Sequence, residues 1–550
     1  RITLYVVGSV LFLAYLGYAV ALNFKRAVPL VVLTSLVLVA VLWRLARSRC
    51  KVRKLLPQHN AREVHNLHED GGGTGSPGGA EKSQYEICKK ATKVSRRFWN
   101  LFGQRKVKIG CYILTISATC GFLVSQHHSR LDRLRPVAGL AAIVLVSVLL
   151  SYDRSKINWR PVVWGLALQV ALAVLTLRTR PGREGFRYLG QQMEHFLEHV
   201  LAGVLFVFGD KYTDFFFIFK LMPTVIFLSS VISVLYHVGV MQSLVGLIAA
   251  AMSVTMATTA AESTGIAACI FLGQPEASLT IRPFLERMTR SELFAITTAG
   301  FASVTADVFA IFVHYGMPSS HIITAVLMSA PASIAVAKII CPETEVSHTK
   351  DRKELRACEK RMVRQRSALD AAVQGAQDAV SIVAAVVATI IAFLSILSFF
   401  NSVIAYLGGL VDVEGLSLET LVAYPLMPVA YSLGVAWEDC RPVAEVIGLK
   451  TFVNELVGYQ RLKQLVQEGA IKQRRSQVIA MYALCGFSNP TTVGVTLGGL
   501  GAMVPQKRQV LVNIILMAWL AGSLSCFMTA AWAGLLYTET EASPFLNITE

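Results

Sequence analysis

The sequence predicts an all-α, polytopic membrane protein, and two observations lead to that fold class. First, 54% of the 550 residues are hydrophobic and only 16% are charged, whereas a soluble protein carries roughly 25% charged residues. Second, repeated apolar runs approach the roughly 20 residues that a helix needs to cross the hydrocarbon core. These runs are 4–22, 27–43, 109–125, 137–151, 161–177, 221–240, 378–400 and 508–535. We therefore expect a chain that crosses the lipid bilayer many times.

The first 107 residues divide into an apolar hairpin, 1–43, and a basic linker, 44–107. Lys and Arg hold loops on the cytoplasmic side of a membrane, so the linker and the N-terminus are predicted to be cytoplasmic. The net charge of +17 is explained by such loops, and we expect no nucleic-acid partner. Two shorter basic segments, 130–135 and 178–187, would then lie on the opposite side, against the same rule.

An amphipathic helix at the membrane surface is predicted near 186–208, where apolar and charged residues are mixed. Within it, His195 to His199 match HxxEH, a signature of zinc proteases. A membrane zinc protease is therefore a remote alternative, although no third metal ligand is evident and a solvated helix face explains the same residues. The ten cysteines include no CxxC pair and are expected to be packing residues.

Polar clusters interrupt the apolar sequence at four places: 256–283, 299–317, 434–460 and 483–505. Non-helical backbone at membrane depth persists only where protein or water satisfies its polar groups. Interrupted segments at corresponding positions of two halves indicate the binding site of a transporter. The halves 220–340 and 380–535 each contain such a segment, followed by a helix with Gly and Thr. An internal repeat is therefore predicted, with the binding site between its halves.

Two carboxylates, Glu276 and Glu455, are the strongest candidates for ligand binding. Ionisable side chains at membrane depth usually face a cavity or a pathway, and neither Glu has a basic residue at helical ion-pair spacing. A carboxylate accepts two strong hydrogen bonds, as from neighbouring sugar hydroxyls. Gln274 can pair with a nucleobase edge, and Asn489 can pair with hydroxyls. No arginine cluster is available for a phosphate, so the ligand is predicted to be neutral and hydroxylated.

Structural alternatives stay open for the other polar groups. A single Asn or Thr in a membrane helix more often bonds a neighbouring helix than a ligand. Glu438-Asp439 beside Arg441 is either a buried structural pair or part of the site.

Several long motifs resemble those of the concentrative nucleoside transporters, a family of solute carriers. They are GQPEASLTIRP, MTRSEL, HYGMPSSHIITAVLMSAPASIAVAK, GVAWEDC, FVNELVGYQ, ALCGFSN and LGGLGAMVPQKR, in that order. The resemblance covers most of 108–540, and the N-terminal hairpin and linker are similar to those of vertebrate-type members. It implies a secondary active symporter, not an enzyme, that imports nucleosides across the plasma membrane. Sodium is the implied coupling ion, and no organic cofactor is implied.

The resemblance also implies an architecture of about 11 transmembrane helices plus two re-entrant hairpins, with a scaffold domain and an inverted-repeat transport domain. The hairpins are expected at about 256–283 and 420–445. A homotrimer is implied, and the C-terminus is expected outside the cell, where Asn547 begins a glycosylation sequon. The expected segments are 1–43 (N-terminal hairpin), 44–107 (linker), 108–255 (scaffold helices), 256–345 (first hairpin and broken helix), 346–420 (connector and scaffold helix), 421–505 (second hairpin and broken helices) and 506–550 (last helix and tail).

The resemblance assigns substrate contacts to seven positions. Those expected at the nucleobase are Gln274, Pro275 and Glu276. Those expected at the ribose are Glu455, Asn489 and Thr492, and Phe487 belongs to the same substrate site. Pro275 departs from the family, since it removes a hydroxyl and an N–H from the base-reading tip.

Contacts to the coupling cation are implied at Cys269, Leu272, Asp307 and Val308. Cys269 stands where the family has an Asn that helps to hold sodium, and Asp307 replaces a small hydroxyl residue. Asp307 either supplies an anionic oxygen that compensates for Cys269 and keeps sodium binding, or it exchanges protons, as an intramembrane carboxylate can. A third alternative is weakened coupling with an altered choice of substrate. Sodium coupling is the expectation, and a proton-coupled nucleoside or nucleobase carrier that uses Asp307 is the alternative.

Overall fold

The computed structural model describes residues 135–209, 219, 222–347, 349, 367–409 and 417–537. All of them belong to one compact unit, Lys108–Glu550. The expected N-terminal hairpin, the basic linker and Asn547 lie outside the described residues and stay predictions. The side chains of Pro275, Glu276 and Asp307 also lie outside the described part, although their backbone is included.

Within these ranges the protein is α-helical and contains no β-strand, as the sequence predicts. The helices are α1 (Arg135–Leu149), α2 (Trp159–Leu177), α3 (Arg180–Glu198), α4 (Val200–Phe208), α5 (Met222–Val238), α6 (Val240–Met256), α7 (Ala260–Ala268), α8 (Gln274–Leu279), α9 (Arg282–Leu285), α10 (Arg290–Ala302), α11 (Ala306–His314), α12 (Ser319–Ile340), α13 (Ala368–Gly409), α14 (Leu418–Ser432), α15 (Cys440–Phe452), α16 (Glu455–Gln467), α17 (Arg474–Leu484), α18 (Pro490–Met503) and α19 (Arg508–Leu536).

Among the described residues, three stretches are long and apolar enough to cross a membrane. They are Trp159–Leu177, Ser319–Ile340 and Pro505–Leu536. The helices α5 and α6 meet at 78°, and they make a fourth span if the bent pair is counted as one. The helices that carry the polar clusters are too short to qualify, and the first apolar runs of the chain are not described. The expected count of about 11 transmembrane helices therefore stays a prediction.

The helices repeat the same order in the two halves of the described chain. In the first half, the short helices α7 to α9 are followed by the interrupted pair α10 and α11 and then by the long α12. In the second half, α15 and α16 are followed by the interrupted pair α17 and α18 and then by the long α19. The long helices α12 and α19 pack against each other, and α10 packs against both. The interrupted helices are thereby held next to the most buried part of the protein.

Polar side chains cap the helices at the interruptions. Thr305 caps α11, Asn454 caps α16 and Asn489 caps α18, each by accepting a hydrogen bond from a backbone N–H in the first turn. Thr259 and Thr289 begin α7 and α10 in the same way, and a Glu in the first turn completes a capping box in both. Because the first N–H groups of a helix have no partner within it, these caps allow helices to begin inside an apolar protein.

Candidate functional site

Two interruptions in the second half bring Glu455 and Asn489 together. Glu455 is the first residue of α16, and Asn489 caps α18. The Asn489 side-chain Nδ2 donates a hydrogen bond of 2.6 Å to Glu455 Oε2. Both side chains are buried, with 1% of Asn489 and 7% of Glu455 exposed. Two residues that the sequence assigns to one site are therefore in direct contact.

The Asn489 amide is oriented by the start of α18. Its Oδ1 accepts hydrogen bonds from the backbone N–H of Thr492 at 2.9 Å and from the Thr492 hydroxyl at 3.2 Å. The amide nitrogen therefore faces Glu455, and it is the single side-chain donor to this carboxylate that is found in the described part of the chain. Since a carboxylate has about four acceptor sites, Glu455 keeps capacity for further donors.

Gln274 reaches the second half from the first. It is the first residue of α8, and its Oε1 accepts a hydrogen bond of 2.6 Å from the hydroxyl of Thr496 on α18. Its Nε2 lies 3.5 Å from the backbone carbonyl of Thr297 on α10. The side chain is 3% exposed. Like Asn489, this predicted ligand residue lies at the start of a helix, and its side chain contacts α18.

The residues expected at the cation lie on two segments that meet. Cys269 and Leu272, both buried, belong to the turn between α7 and α8, and Val308 lies in the first turn of α11. The carbonyl of Phe271 accepts a hydrogen bond of 3.4 Å from the N–H of Ala306, which joins this turn to the start of α11. The described backbone therefore brings the two parts of the predicted cation site side by side.

Contacts from Tyr459 on α16 and Lys450 on α15 hold these two helices in place. The rings of Phe312 on α11 and Tyr459 on α16 are 3.9 Å apart between centroids. The Tyr459 hydroxyl donates to the carbonyl of Met481 at 2.9 Å, and Lys450 Nζ donates to the carbonyl of Ala483 at 3.2 Å. These bonds engage carbonyls near the end of α17, where helical partners are lacking. Phe487 is half-buried in the interruption that follows.

A second buried polar network, absent from the sequence predictions, lies where α7 and α10 begin. Lys338 Nζ, near the end of α12, is 2.7 Å from Glu262 Oε1 and 3.6 Å from Glu343 Oε2. Glu292 Oε1 accepts hydrogen bonds of 2.6 Å from both Ser347 and Thr349. We call these six residues the Lys338 network. The repeated T-x-x-E pattern of a capping box, at 259–262 and 289–292, was the available sequence signal.

Asp439 has a structural role, and its hydrogen-bond partners are backbone groups instead of the predicted Arg441. Its two carboxylate oxygens accept hydrogen bonds of 3.0 Å from the backbone N–H groups of Lys472 and Gln473, just before α17. The Arg441 guanidinium lies 5.9 Å from the centre of the Tyr424 ring. Asp439 is buried, whereas Glu438 is exposed. The acidic pair therefore divides into one structural and one solvated residue.

The HxxEH segment does not form a metal centre in the described structure. His195 Nδ1 lies 3.3 Å from Glu198 Oε2, and these side chains are 69% and 66% exposed. No group of three or more His, Cys, Asp or Glu residues that could hold a metal ion is found among the described residues. The segment predicted as one amphipathic helix near 186–208 is divided between α3, of which it includes the larger part, and the whole of α4.

A helical protein with membrane-length helices that buries a carboxylate and two amides at helix interruptions has the features of a membrane transporter. Family models match along the chain: Na+ dependent nucleoside transporter N-terminus over 138–211, nucleoside recognition (Gate) over 218–319, and Na+ dependent nucleoside transporter C-terminus over 321–534. The chain belongs to the Na+ dependent nucleoside transporters of solute carrier family 28. This is a family of transporters and not of enzymes.

Individual relatives agree with this assignment. Sodium/nucleoside cotransporter 2 of Rattus norvegicus is 35% identical, over 98% of this chain and 79% of the relative. Solute carrier family 28 member 3 of Homo sapiens is 42% identical, over 72% of this chain and 59% of the relative. The solved structure of CNTnw in an inward-facing substrate-bound state matches with a TM-score of 0.69 at 34% identity, covering 74% of this chain and 98% of that chain.

Proposed function

We propose that this protein is a symporter that imports nucleosides across the plasma membrane, driven by the sodium gradient. The observation that carries the proposal is the buried contact between Glu455 and Asn489 at two helix interruptions. A charge buried in this way is costly unless other groups complete its hydrogen bonds. A neutral ligand with adjacent hydroxyls supplies such donors, and the ribose of a nucleoside has this chemistry.

In this proposal, side chains at the starts of α8, α16 and α18 bind the substrate. Glu455 accepts from ribose hydroxyls, Asn489 and Thr492 contact the same sugar, and Gln274 contacts the base. Each hydrogen bond to a charged group contributes about 1.5–3 kcal/mol, so two such bonds to Glu455 provide much of the binding free energy. Phe487, in the interruption before α18, supplies apolar contact. Pro275 and Glu276 are proposed at the base by the family resemblance alone.

We infer that the helix pairs at equivalent places of the two halves are the re-entrant hairpins. The first pair is α7 with α8, consistent with the expected 256–283. The second pair is α15 with α16, which meet at Val453-Asn454, later in the sequence than the expected 420–445. The capped start of α16 at Asn454 supports this choice, because it parallels the start of α8 at the turn before Gln274. A homotrimer, a cytoplasmic N-terminus and an extracellular glycan at Asn547 complete the proposal.

Sodium is the proposed coupling ion, with contacts from Cys269, Leu272, Asp307 and Val308. Sodium prefers oxygen ligands, and backbone carbonyls remain available whatever the side chain is. A thiol at position 269 is a weak replacement for an amide oxygen, so the carboxylate of Asp307 is proposed to restore an oxygen ligand. Proton coupling through Asp307 is the alternative.

Uptake measurements test the function and the coupling ion together. Radiolabelled uridine and adenosine are offered to cells that express the protein, with sodium present or replaced by choline, at pH 5.5 and pH 7.5. We expect saturable uptake that requires sodium at both pH values. Uptake that persists in choline and rises at pH 5.5 would instead establish proton coupling. If neither nucleoside enters faster than in control cells, the proposed function is wrong.

A further inference from the structure

The amide of Gln274 is held from two sides by groups that belong to different halves of the protein. Thr496 Oγ1, on α18, donates to Gln274 Oε1 at 2.6 Å. The carbonyl of Thr297, on α10, lies 3.5 Å from Gln274 Nε2. The side chains of Gln274 and Thr496 are both buried. The second contact is long for a hydrogen bond, so the hydroxyl of Thr496 is the stronger of the two.

These contacts agree on one orientation of the amide. A backbone carbonyl only accepts hydrogen bonds, so the amide nitrogen, and not the amide oxygen, must face Thr297. The oxygen then faces Thr496, whose hydroxyl donates to it. Because a hydroxyl can also accept, the Thr297 carbonyl selects the orientation and the shorter bond from Thr496 holds the amide in it. A flipped amide would place two acceptor oxygens against each other at Thr297. With the amide oriented in this way, one N–H of Gln274 stays available to a ligand.

Gly300 allows this amide to lie close to α10. A Cβ at position 300 would come within 2.6 Å of both Cγ and Cδ of Gln274. A side chain larger than hydrogen would therefore push Gln274 away from its position between Thr297 and Thr496. The position of the amide therefore depends on the Thr496 hydroxyl, on the Thr297 carbonyl and on the absence of a side chain at Gly300.

We propose that Thr496 is a positioning residue that sets the nucleobase selectivity of the carrier by fixing the Gln274 amide. The proposal rests on the proposed function, since it assigns Gln274 to the base. With its oxygen engaged by Thr496, Gln274 presents an N–H donor to the base. Bases with a carbonyl at the matching position accept this donor, whereas bases with an amino group there do not.

Two pairs of nucleosides differ only in the pattern of hydrogen-bond donors and acceptors at the base edge. Uridine has a carbonyl and a protonated ring nitrogen where cytidine has an amino group and an unprotonated ring nitrogen. Inosine and adenosine differ in the same way. An amide that can turn over pairs with either pattern, because its two ends exchange donor and acceptor. Loss of the Thr496 hydroxyl should therefore reduce the discrimination within each pair.

The test compares Thr496→Val, which removes the hydroxyl at nearly constant volume, with Thr496→Ser, which keeps it. The kcat/KM is measured for the four nucleosides, with uptake normalised to the protein at the cell surface. We expect Thr496→Val to reduce the larger of the two within-pair ratios by roughly three- to tenfold, the range of one net hydrogen bond. Thr496→Ser should retain the wild-type ratios. Thr324→Val is the matched control, since it removes a buried hydroxyl whose one partner among the described residues is the carbonyl of Ser320.

A double variant establishes that the effect passes through Gln274. In a Gln274→Ala background, Thr496→Val should leave the within-pair ratios unchanged. If Thr496→Val fails to reach the cell surface, Gly300→Ala displaces Gln274 from the opposite side and should cause the same loss of discrimination. The proposal is overturned if Thr496→Val changes the kcat/KM of all four nucleosides by one common factor. It is also overturned if Gly300→Ala preserves the within-pair ratios of kcat/KM. Absence of uptake by the wild-type protein would instead defeat the proposed function.

Discussion

Two buried carboxylates, Glu262 and Glu455, differ in how fully the protein satisfies them. Glu262, on α7 in the first half, lies 2.7 Å from the ammonium of Lys338 and also accepts from the N–H of Thr259 at 3.4 Å. Glu455, on α16 in the second half, accepts from the uncharged amide of Asn489. Both are almost inaccessible to solvent. Burial is therefore the same, and the partners differ.

The charge of the partner indicates which buried carboxylates are available to a ligand. A buried charge that is paired and hydrogen-bonded is complete, so its removal costs stability. A buried charge with a neutral partner keeps unused acceptor capacity, and it is retained where a ligand or an ion completes it. On this reasoning we place Glu455 in the proposed binding site, whereas Glu262 joins α7 to α12 through Lys338. The two residues should respond to the same substitution in opposite ways.

The largest effect is expected from Glu455→Gln. The substitution keeps the shape of the side chain and removes the charge that strengthens two hydrogen bonds to the ribose. Gln keeps one acceptor oxygen, so one bond is weakened by about 1 kcal/mol or more and the other is lost at about 1.5–3 kcal/mol. The kcat/KM for uridine should therefore fall roughly a hundred- to a thousandfold. The melting temperature without nucleoside should change little, because the buried charge that is removed has a neutral hydrogen-bond partner and no direct ion pair among the described residues. Initial uptake rates and thermal unfolding of the purified protein measure both quantities.

Glu262→Gln is the matched comparison for this variant. It should lower the melting temperature, since it leaves the ammonium of Lys338 with a weaker partner, and it should leave the KM for uridine within about twofold. An unchanged KM for Glu455→Gln, or a KM effect for Glu262→Gln that equals it, would remove the distinction between the two carboxylates.

The next largest effect is expected from Lys338→Met. Its removal strands the buried charge of Glu262 in the Lys338 network, and breaking one side of a buried ion pair costs about 3 kcal/mol or more. The free energy of unfolding should fall by that amount, with much of it recovered in the double variant Glu262→Gln/Lys338→Met. Chemical denaturation in detergent provides the measurement. If the double variant is no more stable than Lys338→Met, the pair does not stabilise the protein in the proposed way.

Features that depend on neighbouring residues could be predicted from the sequence. The helical membrane class follows from composition, and the apolar runs 161–177 and 508–535 correspond closely to α2 and α19. Helix interruptions follow from Gly, Pro and capping residues. The assignment of Glu455 and Asn489 to one site came from the family resemblance, and the structure places them in contact. Their role in binding stays a prediction.

Contacts between distant helices could not be predicted. Thr496 meets Gln274 across 222 positions of the sequence, and no local pattern indicates which hydroxyl faces which amide. The partner of Lys338 was missed for the same reason, because its ion pair joins α12 to α7. Asp439 was considered a possible partner for Arg441, two positions away, but it accepts from backbone N–H groups before α17. Packing of helices decides such pairs, and spacing along the chain does not.

The smallest effect on stability is expected when two capping threonines, Thr289 and Thr305, are replaced in turn. Thr289 begins α10 beside the Lys338 network, and Thr305 begins α11 at the interruption next to the predicted cation site. Loss of a capping hydroxyl costs about 1 kcal/mol, so Thr305→Val should lower the free energy of unfolding by about that amount. Thr289→Val should lower it somewhat more, because the Thr289 hydroxyl also donates to Glu343 Oε2 at 3.1 Å. Only Thr305→Val should raise the sodium concentration for half-maximal uptake, because it loosens the turn that carries Val308. Equal sodium dependence in both variants would contradict a functional difference between the two starts, and it would leave capping as the whole role of Thr305.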